Sequence, residues 1–378
     1  MSFTFVFYRS LGLTLIVGLF LLAACPRSRR FPVLMSAIIG VLSIHTIWIF
    51  LPDLPGFAGE AGRWLVSAWV ASVVTATLLI VPLTLLMLAK RALRRSVSLS
   101  APLALGSLGI CLLVGFAVSV ETVRGPVVRE SIVVVPGLPA GLSGLRIANI
   151  GDVHIGRFMA PKDLADAVSI VNSLNVDLLM LTGDLIDDLA LLDPTLDALE
   201  LSKATPVLSI LGNHDKYPNE TAVVSALRSR GTRIQVLINS SVIVEPRGIP
   251  IRIAGVDYPL ATDGRHMIPR DEQDAMMASF AKKAFAEAVP GETLITLAHH
   301  PEFFPFAAAN GSSLTLSAHT HGGQVKLFGR PLIVAYDYMH GIYHQDGKFL
   351  DVTSGLGHWL PLRIGVPREI SVVTLKSS

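Results

Sequence analysis

The sequence predicts a chain in two parts. Residues 1–120 read as an all-α region of about four transmembrane helices. After a connector over 121–143, residues 144–378 read as an α/β domain, a two-sheet sandwich flanked by helices. Three observations carry this: long apolar runs fill the first third, a β-α-β-α alternation followed by many short strands fills the rest, and polar residues collect where the predicted strands end.

The first part follows from composition. Of the 378 residues 51% are hydrophobic and 16% charged, against about 25% charged in ordinary soluble domains. The apolar runs are Leu11–Cys25, Phe31–Leu51, Trp64–Leu88 and Ala101–Val120. The last three reach the roughly 20 residues that span a bilayer; the first is shorter and Arg9 interrupts its extension. The net charge of residues 1–120 is +7, concentrated in the loops Pro26–Arg30 and Lys90–Arg95, whereas Pro52–Arg63 carries two acids. Lys and Arg accumulate on cytoplasmic loops. Four spans then place everything after Val120 on the extracytoplasmic side of the plasma (inner) membrane. Leu22-Ala23-Ala24-Cys25 also reads like a lipoprotein cleavage site, but cleavage there would leave Arg27, Arg29 and Arg30 on the outer side. His45, the one ionisable residue in Phe31–Leu51, reads as a neutral ring bonded between helices, since no span offers it an acid. Both cysteines, Cys25 and Cys111, lie in or beside apolar runs, so there is no disulfide framework.

The remainder carries a net −5, which argues against a nucleic-acid surface and suits a site that gathers cations. Ser131–Val135 reads as an edge strand within the connector. Leu145–Ile150, Leu178–Thr182 and Val207–Leu211 read as short buried strands, and Pro161–Ser173 and Glu220–Arg230 as amphipathic helices. The strands Ile234–Ile238, Val242–Glu245, Ile251–Ala254, Thr293–Ala298, Leu314–Ser317, Phe349–Val352 and Ile370–Leu375 follow, with one helix, Asp271–Ala288, among them.

Five predicted strands end in chemistry. The tails are Gly151-Asp152-Val153-His154, Gly183-Asp184, Gly212-Asn213-His214-Asp215, His299-His300 and Ala318-His319-Thr320-His321-Gly322-Gly323. In open α/β sheets the crevice beyond the strand C-termini is where sites form. Asp-x-His and Gly-Asp alone are weak, because they are ordinary turn formers; Gly212-Asn213-His214-Asp215 is stronger, since a loop of turn-prone residues seldom includes His, and the full ordered set is stronger still. In Asp-x-His and His-x-His, an extended backbone would send both side chains to one face. Imidazoles, carboxylates and one amide oxygen together suit Mn, Fe, Zn or Co. His266, His340, His344 and His358 lack ligand spacing and read as surface or structural; His300 reads as a neighbour of the site.

This ordered set resembles the calcineurin-like metallophosphoesterase superfamily, whose signature is Asp-x-His, Gly-Asp, Gly-Asn-His-Asp/Glu, His and Gly-His-x-His. The resemblance covers roughly residues 144–378. It is closest to the membrane-attached branch, through His319-Thr320-His321-Gly322-Gly323-Gln324 and through Gly355-Leu356-Gly357, Pro361-Leu362-Arg363 and Glu369. The chain departs from the pattern at Gly151, where Ser is usual, and at Ala318, where Gly is usual.

The resemblance implies two divalent metal ions. Asp152, His154, Asp184 and His321 would hold one, and Asp184, Asn213, His299 and His319 the other, with Asp184 bridging. His299 rather than His300 takes its place by matching a His-x-Pro pattern. The ions would polarise a water for in-line attack on phosphorus. His214 would protonate the leaving oxygen or stabilise the transition state, with Asp215 orienting it. The implied function is metal-dependent phosphoester hydrolysis of a phosphodiester, phosphomonoester or pyrophosphate. Its partners would be a membrane and a substrate that the apolar region suggests is lipid-like, and no nucleic acid. Some relatives resemble UDP-2,3-diacylglucosamine pyrophosphatases, a reading at odds with an extracytoplasmic site. A metal-binding scaffold without catalysis is the reading from another class, and the oligomeric state stays open. The aromatic run within Glu302–Ala309 offers a lipid-facing lip, with core packing the plainer explanation.

Overall fold

The computed structural model describes residues 58–72, 89, 101–261, 268–358 and 360–378. The first two apolar runs, both basic loops, His45 and His266 lie outside the described residues, and the third run lies only partly inside. A helix over Ala101–Val123 takes in the fourth run. Among the described residues no helix is long and apolar enough to cross a membrane. The chain divides into two compact units, Met1–Arg124 with Leu360–Ile364, and Gly125–Trp359 with Gly365–Ser378. The edge strand expected in the connector falls within the second unit.

That unit is built on two six-stranded sheets, both mixed. The first runs β1 (Val127–Val135), β14 (Glu369–Ser377), β2 (Arg146–Ile150), β3 (Leu178–Thr182), β4 (Val207–Ile210) and β5 (Ile234–Val236). β2 to β5 are parallel, β14 runs antiparallel to β2, and β1 is parallel to β14. The second runs β12 (Gly341–Gln345), β13 (Lys348–Val352), β9 (Leu314–Ser317), β8 (Leu294–Leu297), β7 (Ile251–Gly255) and β6 (Ser240–Val244). Its inner four strands are parallel and its edge strands antiparallel. A hairpin of β10 (Lys326–Leu327) and β11 (Arg330–Pro331) stands apart from both sheets.

Strands apolar on both faces need cover on both. Ile147, Met180 and Leu208 of the first sheet pack against Ile253, Ile295 and Leu316 of the second. The outer face of the first sheet buries Leu164, Val168, Leu196 and Val223 from α1 (Pro161–Ser173), α2 (Leu192–Glu200) and α3 (Asn213–Ser229). The outer face of the second buries Met277, Ala281 and Ala307 from α4 (Arg270–Ala284) and α5 (Phe304–Ala309). The order of layers is therefore helix, sheet, sheet, helix. Phe303 and Phe304 are 1% exposed and Phe306 packs partly buried beside them, so the aromatic run takes the core-packing reading and offers no lip.

α3 opens at Asn213 rather than at the expected Glu220, and it contains a break. Asn219, after Pro218, has extended backbone (φ −178°) and divides the helix in two. The piece after the break is the helix that the sequence predicts. The piece before it is a short turn that presents the Asn-His-Asp triplet.

Candidate metal centre

The parallel strands β2, β3, β4, β8 and β9 all deliver their C-terminal loops to one end of the sandwich. Backbone bonds join these loops: Asp152 N donates to Gly183 O at 3.0 Å, His154 N to Asp184 O at 2.9 Å, and Ala318 N to His299 O at 3.2 Å. Closeness demands glycine at Gly183. Its φ is +90°, and a Cβ there would lie 2.6 Å from Gly212 N and 2.7 Å from His299 Nδ1.

The expected extended backbone in Asp-x-His and His-x-His is not what the structure has. Asp152, His154, Asp184, His319 and His321 all sit in the left-handed region, with φ between 48° and 75°. Each such residue costs on the order of 1–3 kcal/mol and persists only where its surroundings over-determine it. Here two left-handed turns, stitched by the bonds above, put each pair on one side, because the strands stop at Ile150 and Ser317.

The predicted ligands converge. Ligand atoms of Asp152, His154 and His321 lie within 4.8 Å of one another, and so do those of Asp184, His299 and His319. Asp184 joins the two groups: its Oδ2 is 3.3 Å from His299 Nε2 and 3.6 Å from His154 Nε2. His214 forms a third group with His154 and Asp184. His300 enters none of these groups; its Nδ1 accepts from Glu302 N and its ring stacks on His319.

The donor set fits divalent cations on three counts. His154 Nδ1 donates to Asp187 at 3.2 Å and His299 Nδ1 to Thr182 O at 2.6 Å, leaving each Nε2 unprotonated toward the centre when the ring is neutral. These nitrogens face a second imidazole nitrogen at 3.2 Å, His154 Nε2 against His321 Nε2 and His299 Nε2 against His319 Nδ1. Two nitrogens bound to one ion at about 2.0–2.1 Å are separated by roughly that much. Asn213 Oδ1 is buried without a hydrogen-bond partner, which an apolar interior penalises.

Electrostatics agree. Burial alone would suppress the charge on His154 and His299, yet Asp187 beside the first and Asp184 beside the second outweigh it and push each imidazole up to about 9. A divalent cation would bind only the neutral rings, so loading would release those protons. Burial, reinforced by His299, pushes His300 down to about 3.

One assignment changes. Asp215 was expected to orient His214, but its carboxylate accepts from Leu185 N (2.8 Å), Ile186 N (3.0 Å) and Gly212 N (2.9 Å). It caps the first turn of α3 and ties it to the Asp184 loop. The carboxylate on the His214 ring is Asp187, whose Oδ1 accepts from His214 Nδ1 at 2.8 Å and from His154 Nδ1 at 3.2 Å. Asp187 lies three residues past Asp184, in a turn where acids are common for other reasons, so spacing alone gave no signal. Tyr258 and Tyr336 were equally hidden; their hydroxyls lie 3.2 Å and 2.9 Å from His319 Nε2, which turns Nδ1 toward His299.

The two departures at Gly151 and Ala318 face each other. A Cβ built on Gly151 would lie 2.4 Å from the Ala318 methyl and 2.5 Å from Thr182 Oγ1. The methyl gained at one position occupies room released at the other. Of the remaining histidines, His340 Nε2 bonds Glu369 at 2.8 Å, exposed His344 packs on Phe349, and His358 is buried. A cavity of about 380 Å³ opens over the candidate ligands, lined by Asp184, Asn213, His214, His319 and His321 together with Ile333, Tyr336 and Met339.

Comparison with known proteins places this geometry. Residues 145–323 match the family model described as calcineurin-like phosphoesterase. The Bacillus subtilis protein named uncharacterized metallophosphoesterase YkuE is 28% identical over 250 residues, 64% of this chain and 82% of that protein. An uncharacterized metallophosphoesterase of Helicobacter pylori is 30% identical over 61% of this chain and 60% of its own length. The transmembrane protein with metallophosphoesterase domain of Danio rerio is 30% identical over 68% of this chain and 59% of its own length. The chain thus spans about three-fifths of the length of the last two. With the loop geometry and the donor set, these matches support one conclusion: residues 145–323 carry a calcineurin-like phosphoesterase domain, of the kind found in metal-dependent phosphoesterases.

Proposed function

We propose that this chain is a membrane-anchored phosphoesterase that cleaves a phosphoester bond at a two-metal centre, acting on an amphiphilic substrate. The observation that carries the reading is Asp184, whose Oδ2 stands between two imidazole-bearing ligand groups with His214 beside them. Two divalent ions bound there, manganese among the candidates, would supply charge neutralisation and an activated water. The protein's own share follows from its side chains. Asp187 fixes the His214 ring through Nδ1, leaving Nε2 to pass a proton to the departing oxygen. Asn213 Oδ1 and the two imidazole pairs complete the ligand set, and Asp215 acts by holding the α3 turn in place. Tyr336 orients His319 and also lines the cavity.

The half-apolar cavity wall and the apolar runs of residues 1–120 support a lipid-like substrate. The basic loops support an extracytoplasmic domain, and the name of the Danio rerio relative supports membrane anchoring. A reporter fused after Ser378 should be active outside the cytoplasm; a cytoplasmic reporter would instead favour a nucleotide-linked lipid substrate like that of the UDP-2,3-diacylglucosamine pyrophosphatases. Hydrolysis of bis-p-nitrophenyl phosphate with Mn²⁺ tests the chemistry. Wild type should be active and Asp184→Asn and His214→Ala strongly impaired; equal rates in all three would leave a metal-binding scaffold as the better description.

A further inference from the structure

The apolar part of the cavity lining, Ile333 and Met339, continues into an apolar projection. The β10–β11 hairpin pairs Lys326 with Pro331 and Leu327 with Arg330, and Leu332 N donates to Val325 O at 2.8 Å. Its base leans on the metal loop: a Cβ on Gly323, two residues past His321, would lie 3.0 Å from Pro331 Cβ and 3.2 Å from Met339 Cε. Its outer part packs on little. Phe328 is fully exposed, Ile333 and Val334 are 69% and 70% exposed, and Leu327 and Leu332 are close to half exposed. From Val325 to Tyr336 the sequence holds two cations, Lys326 and Arg330, and no acid.

We propose that Leu327–Val334 docks onto a bilayer carrying anionic headgroups and so delivers membrane-resident substrate to the cavity. The proposal rests on the phosphoesterase reading for the last step only. A contiguous apolar patch of this kind marks an interaction surface. Aromatic and aliphatic tips beside a cation suit the boundary between headgroups and acyl chains, where the apolar groups bury and the charge stays among phosphates. Charge also weighs against a second copy of the chain as the occupant. A two-fold contact would set each patch against its own image, bringing Arg330 toward Arg330. Continuity with the site is direct, since Ile333 belongs to the exposed patch and to the cavity wall at once.

The test uses the full chain reconstituted in vesicles, with Cys25 and Cys111 replaced by Ser and one new cysteine carrying an environment-sensitive fluorophore. Phe328→Cys reports on the patch, and Leu201→Cys, 60% exposed on another loop, is the control. With phosphatidylglycerol present, lipid-borne nitroxides should quench the label at 328 and spare that at 201, and the difference should shrink in vesicles of phosphatidylcholine alone. Equal quenching at the two positions overturns the proposal. So does a blue shift without quenching that grows with protein density, which would indicate a second copy. In a parallel arm, Phe328→Ser with Val334→Ser should lower hydrolysis of vesicle-borne phosphatidyl-p-nitrophenol about tenfold, with bis-p-nitrophenyl phosphate hydrolysis unchanged. Equal activity on the lipid overturns the proposal. If both activities vanish in the double variant, its fold is lost and the quenching result decides. If wild type is quenched yet hydrolyses neither ester, docking stands and the phosphoesterase reading fails.

Discussion

Gly151→Ala adds one methyl group at the junction of two metal loops. Gly151 does not have positive φ, so the backbone itself accepts alanine, and the effect isolates packing. The new Cβ would lie 2.4 Å from Ala318 Cβ, about 1 Å short of the ~3.5 Å at which two carbons touch. Thr182 Oγ1, 2.5 Å away, cannot yield freely because it donates to buried Asn149 Oδ1 at 2.8 Å. Overpacking of this kind costs about 1–3 kcal/mol. The strain also falls beside Asp152 and His319, and a shift of about 1 Å in a reacting group can cost on the order of 100-fold in rate. Removing the opposing methyl with Ala318→Gly should restore part of both, leaving the Thr182 contact. The assay is a double-mutant cycle on thermal unfolding and on kcat/KM for bis-p-nitrophenyl phosphate, with a coupling of at least about 0.5 kcal/mol expected. Additive effects would refute the reasoning that these two departures from the family pattern compensate each other.

Three further predictions separate roles within the same region. Asp187→Ala should lower kcat about 10–100-fold through the loosened His154 and His214 rings, with a small change in melting temperature; wild-type kcat would show that the ring contacts do not matter. Asp215→Ala strands three buried amide donors and should cost at least about 2 kcal/mol of stability, measured by denaturation; an unchanged melting temperature would return Asp215 to a purely catalytic role. Glu369 is buried and burial opposes its charge, but bonds from His340 and Arg129 prevail and hold its carboxyl below the ordinary 4.5. A depressed folded value means that this stability is present above pH 4.5 and lost as pH falls from there through the folded value. Glu369→Gln should therefore flatten the acid limb of a stability–pH curve, and an unchanged slope would contradict the assignment.

Much of the fold was legible because its signals are local. Buried strands such as Leu178–Thr182 are short apolar runs ended by Gly-Asp, and the helix Pro161–Ser173 carries Pro at its first turn; both match their observed limits. The cluster of candidate ligands was legible because five strand ends each carry His, Asp or Asn, and the order matches a family signature. What escaped was set by three-dimensional neighbours. Nothing in Asp152 or His321 announces left-handed backbone, which the crossing bonds between loops impose. Asp187 and Asp215 are both acids in turns, and only the direction of their oxygens tells which grips an imidazole and which caps a helix. Tyr258 and Tyr336 reach His319 from 61 and 17 residues away. The short hairpin strands carry too few residues to show a period, so nothing in the pattern marks the apolar patch.

Metal content per chain tests the central claim most directly. Elemental analysis of the full chain, loaded with Mn²⁺ and freed of excess, should find two ions per chain in wild type and fewer in Asp184→Asn, since that carboxylate serves both ligand groups. Fewer than two in wild type, or two retained after Asp184→Asn, would contradict a centre bridged by Asp184.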